Sequence, residues 1–255
     1  MGSHMTSITP ERCQLCAMLT ADAHLCATLT KPELENLNAA SQINSLRRDE
    51  TIPESSLDRW PIIAVAKGEL SIQYVMHDGR RTIAAFLSPG DILDTRQLEN
   101  KRLGSLVALN RVEFCRLDPT VFDEIVADNA DARSLVWSNV HLQAQRSVSH
   151  AADLAKKKAP EKLASFILEC SSRFTNVLNN NLVRIPMRRR DLAGYLGMQP
   201  ETVSRCFKDL EEKGIIKVTG AAAIRIIDRP SLRLIANGAG EEGDAPAIRV
   251  LRLGA

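Results

Sequence analysis

The stretch RRRDLAGYLGMQPETVSRCFKDLEEKGIIKV, residues 188–218, constrains the fold of this 255-residue chain more than any other part. DLAGYLG predicts a short helix that ends at Gly197, where a left-handed backbone costs little. MQPETVSRCFKDLEEKG predicts a second helix, with Pro200 tolerated in its first turn and Gly214 behind it. Two short helices joined by a glycine-containing turn of about three residues make a helix-turn-helix.

The residues after this pair predict a wing, and the second helix carries side chains suited to base edges. IIKVTGAAAIRII predicts two strands that turn at Thr219-Gly220. In a winged helix-turn-helix the second helix lies in the major groove with its N-terminal residues nearest the bases. There Arg205 can donate to guanine O6 and N7, Glu201 can accept from a cytosine amino group, and Ser204 can reach a base or a phosphate.

Charge favours the same interpretation. Residues 160–235 hold 13 Lys/Arg against 8 Asp/Glu, whereas residues 1–159 hold 18 against 20. A basic segment beside a slightly acidic one is typical of a nucleic-acid-binding part joined to another domain, although a solvated basic face has the same composition. An i,i+4 salt bridge is the alternative for Glu201 and Arg205. The side chains expected at backbone phosphates, which add affinity without sequence information, are Arg188, Arg189, Arg190, Thr202 and Lys208.

Short apolar runs separated by turns extend from about residue 49 to residue 117. The dipeptide Asp78-Gly79 is a hairpin signal, and KG and PGD mark further turns. Many short antiparallel strands at this spacing predict a small barrel or roll. Before them, TKPELENLNAASQI predicts a short helix capped by Thr30, with Leu34 and Leu37 on one face.

A long helix follows the roll, because no Gly or Pro occurs between Pro119 and Lys158. The pattern predicts a short helix around residues 121–126 and a longer one that starts near Asp131. A narrow stripe of mostly small residues on the longer helix suits a parallel helix–helix dimer seam, with packing on its own domain as the alternative. This stripe consists of Trp137, Val140, Ala144, Val148, Ala151 and Ala155.

The stretch CQLCAMLTADAHLC, residues 13–26, packs three of the six cysteines into fourteen residues. The opening MGSHM is typical of an expression-tag remnant, no secretory signal follows it, and no apolar run approaches the about 18–20 residues of a membrane span. We therefore expect a cytoplasmic protein, in which clustered cysteines bind metal or sense redox state more often than they form disulfides.

The other three cysteines differ in their local patterns. In VEFCRLDP, Val112 and Phe114 alternate onto the apolar side of a strand, which leaves Cys115 on the opposite face. In PEKLASFILECSSRF, Cys170 shares one side of a helix with Leu163, Phe166 and Ile167, so it is expected to be a core residue. Cys206 is expected to pack its helix against the domain.

These elements predict an α+β chain with an N-terminal β-roll of jelly-roll type, a long dimerisation helix and a C-terminal winged helix-turn-helix; that the roll is a sensor domain is implied by the resemblance described next. The expected segments are a cysteine-rich segment over 6–30, the roll over 31–127, the dimerisation helix over 128–158, the DNA-binding domain over 159–236 and an extension over 237–255.

The ETVSR of the second helix, the SSRF, the roll and the long helix together resemble the CRP/FNR superfamily of bacterial transcription regulators. The resemblance runs in the same order to about residue 236. It implies a homodimer that binds a palindromic operator, with RNA polymerase as a further partner. The E-x-x-S-R pattern (Glu201, Ser204, Arg205) is similar to that of FNR-type members, which prefer TTGAT half-sites.

The resemblance also implies a signal. FNR-type members hold an oxygen-labile [4Fe–4S] cluster on three N-terminal cysteines and one at the end of a roll strand, and Cys13, Cys16, Cys26 and Cys115 match this set. The spacing C-x2-C-x9-C is wider than the C-x2-C-x5-C of enteric members, so Asp22 and His24 are alternative ligands. Oxygen or nitric oxide is the expected signal.

Other signals remain as alternatives. Cyclic nucleotide is not expected, because Asp91 replaces the glutamate of members that bind it and no Arg-Ser/Thr step follows. Zinc on four cysteines, thiol oxidation, or haem on His77, His141 or His150 would leave the fold unchanged. A metal-dependent enzyme is the alternative of a different class, but the chain has no HExxH and no phosphate-binding glycine-rich loop, so we expect no enzyme activity.

Overall fold

The structure, a computed structural model, describes residues 24–79, 81–96, 104–173, 181–220 and 222–238, without the side chain of Glu54. The chain divides into two compact units, residues 1–149 and 150–255. Cys13, Cys16 and Asp22 lie outside the described residues. The same holds for most of the expected C-terminal extension. None of the helices in the described segments is long and apolar enough to cross a membrane.

Short antiparallel strands make up the roll of the first unit. They are β1 (Gln42–Leu46), β2 (Thr51–Ile52), β3 (Ile62–Lys67), β4 (Leu70–Val75), β5 (Arg81–Leu87), β6 (Ile92–Asp94), β7 (Ser105–Ala108) and β8 (Val112–Leu117). One sheet has the order β1-β8-β3-β6 and the other has the order β2-β7-β4-β5. The turns fall where the sequence predicts them. At Gly68, which has φ +72°, a Cβ would clash with the carbonyl of Arg111.

The sheet that contains β8 has two buried faces. Val65 and Phe114 point into the core between the two sheets, where they meet Leu70 and Leu106 of the other sheet. Neighbouring positions point the opposite way because side chains alternate along a strand. This second face carries its own core, which contains Leu25, Leu37, Ile62, Ile92, Cys115, Leu117, Phe122, Ile125 and Ala132.

Helices cover that second face. They are α1 (Lys31–Ala40), α3 (Pro119–Asp128) and the start of α4 (Ala130–Lys156), while α2 (Glu54–Arg59) lies between β2 and β3 in the chain. Thr30 caps α1 as predicted, in a capping box with Glu33. The Glu33 carboxylate accepts from the Thr30 backbone N–H at 2.7 Å and from the Asn129 side-chain amide at 3.0 Å. These bonds fasten the N-terminal segment to the junction of α3 and α4.

The second unit contains the helix-turn-helix and a small sheet. Its elements are α5 (Ala159–Arg173), β9 (Leu182–Arg184), α6 (Arg189–Leu196), α7 (Pro200–Glu212), β10 (Ile216–Gly220), β11 (Ala223–Ile226) and α8 (Arg229–Ala236). The strand order is β10-β11-β9, so β9 extends the predicted wing to three strands. Leu163, Phe166, Ile167 and Cys170 of α5 are all buried, which confirms the face predicted for this helix.

Candidate nucleic-acid interface and cysteine pocket

The turn between α6 and α7 sets the direction of α7. Gly197 ends α6 with φ +61° and ψ +42°, the left-handed conformation that glycine adopts most readily. Gln199 is the N-cap of α7, and Pro200 occupies its first turn, where a missing N–H breaks no helical hydrogen bond. The predicted helix-turn-helix is therefore present, and its helices, Arg189–Leu196 and Pro200–Glu212, begin and end close to the predicted positions.

Helix α7 separates packing residues from polar ones. Its buried face consists of Val203, Cys206, Phe207 and Leu210. The three predicted base-contacting residues, Glu201, Ser204 and Arg205, are all exposed. The apolar period of the helix therefore leaves on the surface the side chains that the sequence assigns to base edges.

The exposed polar residues are not locked into strong pairs with each other. Within the described part of the chain Arg205 donates to the Thr202 hydroxyl at 3.3 Å and forms no ion pair with Glu201. The i,i+4 salt bridge considered for that pair is therefore not formed. The Ser204 hydroxyl donates to the Pro200 carbonyl at 3.0 Å, so its oxygen lone pairs still face solvent.

The residues predicted at phosphates occupy different environments. Arg188, Arg190 and Lys208 are exposed, and Lys208 lies 3.4 Å from Glu212. The Arg189 guanidinium instead lies 3.1 Å from the centre of the Phe207 ring, and burial lowers its pKa. Arg189 thus braces α6 against α7 by a cation–π contact. Its role at phosphate stays a prediction, as does that of the others.

Two of the four predicted cluster ligands line one pocket of the first unit, which we call the cysteine pocket. Cys26 lies in a short 3-10 turn, Leu25–Ala27, and Cys115 lies on β8. The remainder of the lining is mainly apolar and comes from β3, α1 and the turn before β6. It consists of His24, Leu25, Leu37, Asn38, Ser41, Ala64, Val65, Ala66, Gly90, Ile92 and Leu117.

Cys115 lies on the face of β8 that the sequence alternation predicts. Phe114 points into the core between the sheets, and Cys115 points into the second core. This face is not a polar surface, however, because the N-terminal segment and helices cover it and leave Cys115 only 8% exposed. Among the described residues no group of three His, Cys, Asp or Glu side chains lies close enough together to hold a metal ion.

The other described cysteines lie in helix cores. Cys170 is fully buried in α5, and burial raises the pKa of its thiol. Cys206 is buried in α7, and burial raises the pKa of its thiol as well. A raised pKa keeps a thiol protonated and poorly reactive. The packing roles predicted for both residues are therefore confirmed.

The histidines considered for haem lie apart from the cysteine pocket. His77 and His141 are exposed. His150 stacks on Tyr195 with ring centroids 3.9 Å apart, and burial lowers the pKa of its imidazole. None of these three lines the pocket, whereas His24, considered as an alternative ligand, does.

Helix α4 carries the predicted dimer seam on its exposed side. Trp137, Val140 and Val148 are 67%, 51% and 70% exposed, and Ala144, Ala151 and Ala155 are also exposed. Large apolar side chains left in solvent on one helix face indicate an interaction surface. The dimer itself stays a prediction for this chain.

Asp91, the residue that departs from the cyclic-nucleotide pattern, is buried in local contacts. Its carboxylate accepts from the Ser88 backbone N–H at 2.7 Å and from the Arg146 guanidinium at 3.1 Å. Sequence patterns missed Arg146 and its neighbours Asn139 and Gln143, which donate to backbone groups of this turn. Their i, i+4, i+7 spacing was visible, but polar residues at that spacing are also typical of a solvated face.

Comparisons with known proteins agree with this architecture. Residues 161–235 match the Crp-like helix-turn-helix domain, and residues 45–129 match the cyclic nucleotide-binding domain. The nitrogen fixation regulation protein FixK of Azorhizobium caulinodans is 32% identical over 174 residues, which is 68% of this chain and 70% of that protein. The transcriptional activator protein FnrA of Stutzerimonas stutzeri is 27% identical over 203 residues, which is 76% of this chain and 80% of that protein. The solved structure of FixK2 from Bradyrhizobium japonicum has a TM-score of 0.66 at 26% identity, and it covers 76% of this chain and 96% of its own.

A roll followed by a long helix and a winged helix-turn-helix defines a DNA-binding transcription regulator rather than an enzyme. The chain belongs to the CRP/FNR family of these regulators. The predicted fold and family are therefore confirmed. The match over the roll shows its fold, and the expectation that no cyclic nucleotide binds stays a prediction.

Proposed function

We propose that this protein senses oxygen or nitric oxide through a [4Fe–4S] cluster held by Cys13, Cys16, Cys26 and Cys115. The observation that carries the proposal is the shared pocket of Cys26 and Cys115. These two cysteines are far apart in the sequence, and the packing of the 3-10 turn over the sheet brings both to one pocket. They are also the last N-terminal cysteine and the roll cysteine of the proposed ligand set.

The donor chemistry of the pocket fits a cluster of this kind. Thiolates are soft, charged donors, and four of them complete a [4Fe–4S] cluster. The described residues supply two thiols in a mainly apolar lining, which excludes water and favours a buried cluster. Such a cluster supplies reactivity toward oxygen and nitric oxide when it is bound.

Residues in and next to the cysteine pocket would have distinct roles in holding such a cluster. Cys115 offers a fixed ligand from a strand, and Cys26 offers one from the 3-10 turn that precedes α1. The capping box of Thr30 and Glu33, together with Asn129, holds that turn against the α3–α4 junction. A cluster bound by all four cysteines would link the segment before His24 to the cysteine pocket.

The output proposed for this sensor is DNA binding by a homodimer. The stripe on α4 would form the seam, and two copies of α7 would enter successive major grooves of a palindrome with TTGAT half-sites. Arg205 would donate to guanine, Glu201 would accept from cytosine, and Ser204 would contact a base or phosphate. Loss of the shared ligation would loosen the seam and lower DNA affinity. RNA polymerase is the further partner proposed.

Anaerobic reconstitution tests this function. We expect about four iron and four sulfide per chain, with a brown protein that binds a TTGAT palindrome more tightly without air. Fewer than about two irons per chain, or a DNA affinity indifferent to air, would overturn the proposal. The control is the same protein reconstituted and then exposed to air before the binding assay.

A regulator of the same family with zinc in place of iron is the second candidate. The lining position of His24 favours it, because mixed cysteine and histidine ligands are typical of zinc. A colourless protein with about one zinc per chain would identify this form. A colourless protein without metal would leave thiol oxidation as the sensing chemistry, and a Soret band would indicate haem.

A further inference from the structure

The turn between β5 and β6 connects the cysteine pocket to helix α4 within the first unit. Gly90 of this turn and Ile92, the first residue of β6, line the pocket. The Ile92 side chain is buried in the same core as Cys115. The turn is also fixed to the sheet, because Gly90 N–H donates to the Val65 carbonyl at 2.9 Å.

Three polar side chains of α4 hold the backbone of this turn, and we call them the polar clamp (Asn139, Gln143 and Arg146). Asn139 accepts from the Ile92 N–H and donates to the Gly90 carbonyl, both at 3.0 Å. Gln143 donates to the Ile92 carbonyl at 2.8 Å. Arg146 donates to the buried carboxylate of Asp91 at 3.1 Å.

Ile92 contacts both the cysteine pocket and helix α4. Its side chain faces the pocket, and its backbone N–H and C=O are both bonded to α4. Because both backbone groups of Ile92 are bonded to α4, a displacement of its backbone must either move the helix with it or break these hydrogen bonds.

The polar clamp also sets which face of α4 is presented to a second copy. Successive residues of an α-helix are about 100° apart around its axis. By this measure the clamp residues point, on average, about 140° away from the seam residues. The seam residues compared are Trp137, Val140, Ala144 and Val148. The clamp is half-buried against the roll, and the seam faces solvent. A small rotation of α4 about its axis would therefore change the seam directly.

We propose that the polar clamp transmits the state of the cysteine pocket to the dimer seam, with Asn139, Gln143 and Arg146 as the positioning residues and Ile92 as the contact in the pocket. This inference rests on the proposed function. Hydrogen bonds are suited to the task because they are directional, whereas the apolar contacts of Ala132 in the same core allow α4 to slide.

The test is the double variant Asn139→Ala and Gln143→Ala, with Gln145→Ala as the matched control. Gln145 is an exposed glutamine on the same helix outside the clamp. Coupling between two sites is typically about 5- to 150-fold, so we expect an anaerobic-to-aerobic ratio of DNA affinities in that range for the wild-type chain. In the double variant the ratio should fall toward 1, while iron content and visible spectrum stay at the wild-type values. The melting temperature should fall, because backbone groups of Gly90 and Ile92 lose their partners. Gln145→Ala should keep the wild-type ratio.

Two further variants keep the proposal open to refutation if the double variant folds poorly. Arg146→Gln removes the ion pair with Asp91 at a partly exposed site and should lower the ratio by a smaller factor. Asn139→Asp keeps the acceptor for the Ile92 N–H and should retain part of the ratio.

The outcomes separate the two proposals. A wild-type chain that takes up no iron overturns both. Normal iron uptake together with an unchanged affinity ratio in the folded clamp variants overturns the clamp alone. An equal loss in Gln145→Ala also overturns it, because the effect would then belong to the helix surface in general.

Discussion

Helix α7 and the cysteine pocket place their functional side chains in opposite ways. On α7 the polar residues lie in solvent, and the apolar residues of the same helix hold it in place. In the pocket Cys115 is itself part of a core, Cys26 is half-buried, and residues from several elements surround both thiols. A surface helix is specified by its own period, whereas a buried site depends on every element that covers it.

The largest expected effect is a loss of iron binding, which would distinguish the cysteine pocket from an ordinary hydrophobic core. Cys115→Ala should abolish iron binding after anaerobic reconstitution, because three thiolates do not complete a four-ligand cluster. Cys170→Ala is the matched control, since it removes an equally buried thiol from the second unit. It should keep the full iron content. Equal iron in the two variants would remove Cys115 from the ligand set.

Arg205→Ala should have the next largest effect and tests the surface of α7. A bidentate contact to guanine contributes about 1–3 kcal/mol of discrimination, so affinity for the palindrome should fall roughly 5- to 150-fold. Binding to a scrambled duplex should change far less. Arg233→Ala on α8 also removes an exposed arginine of this unit and serves as the control. A uniform loss on both duplexes would make Arg205 a phosphate contact.

Lys208→Gln should act more weakly and through salt dependence. Its ion pair with Glu212 is exposed, and such pairs contribute little, so the lysine is available to a phosphate. Loss of one phosphate contact from each subunit of the dimer should lower the slope of log affinity against log salt by about 1.8, with base preference unchanged. Lys31→Gln in α1 is the control, and a slope altered by both variants would contradict a specific contact.

The smallest effect concerns the segment that carries Cys26. Hydrogen bonds from Thr30 lower the pKa of Glu33, so the folded state favours the ionised carboxylate. This contribution is present above the unfolded pKa of about 4.3 and is lost as pH falls through the folded value. Chemical denaturation between pH 6 and about pH 3 should show a steeper loss of stability for the wild-type chain than for Glu33→Gln. Parallel pH profiles would exclude this role.

Local patterns predicted much of the fold correctly. Gly197, Pro200 and Thr30 mark helix ends through their own backbone preferences, and the apolar period of α7 assigns Glu201 and Arg205 to its exposed face. These features depend on residues within a few positions of one another. They could be derived without knowledge of any distant contact.

The environment of the candidate sensor could not be predicted in the same way. Strand alternation gave the face of Cys115, but that face is covered by the 3-10 turn and by α1 and is not a polar surface. The polar clamp was likewise hidden, because its residues are indistinguishable from a solvated helix face until the turn at Gly90 lies against them. The surroundings of Cys115 and of the polar clamp both depend on how segments that are distant in the sequence pack together.

The sequence by itself determined that this chain forms a roll, a long helix and a winged helix-turn-helix whose second helix exposes Glu201, Ser204 and Arg205. Only the tertiary structure decided that Cys26 and Cys115 line one pocket and that α4 bonds to the turn beside them. The physical reason is the range of the interactions. Helix periods and caps act over a few residues, whereas a pocket forms when segments distant in the chain bury the same apolar surface.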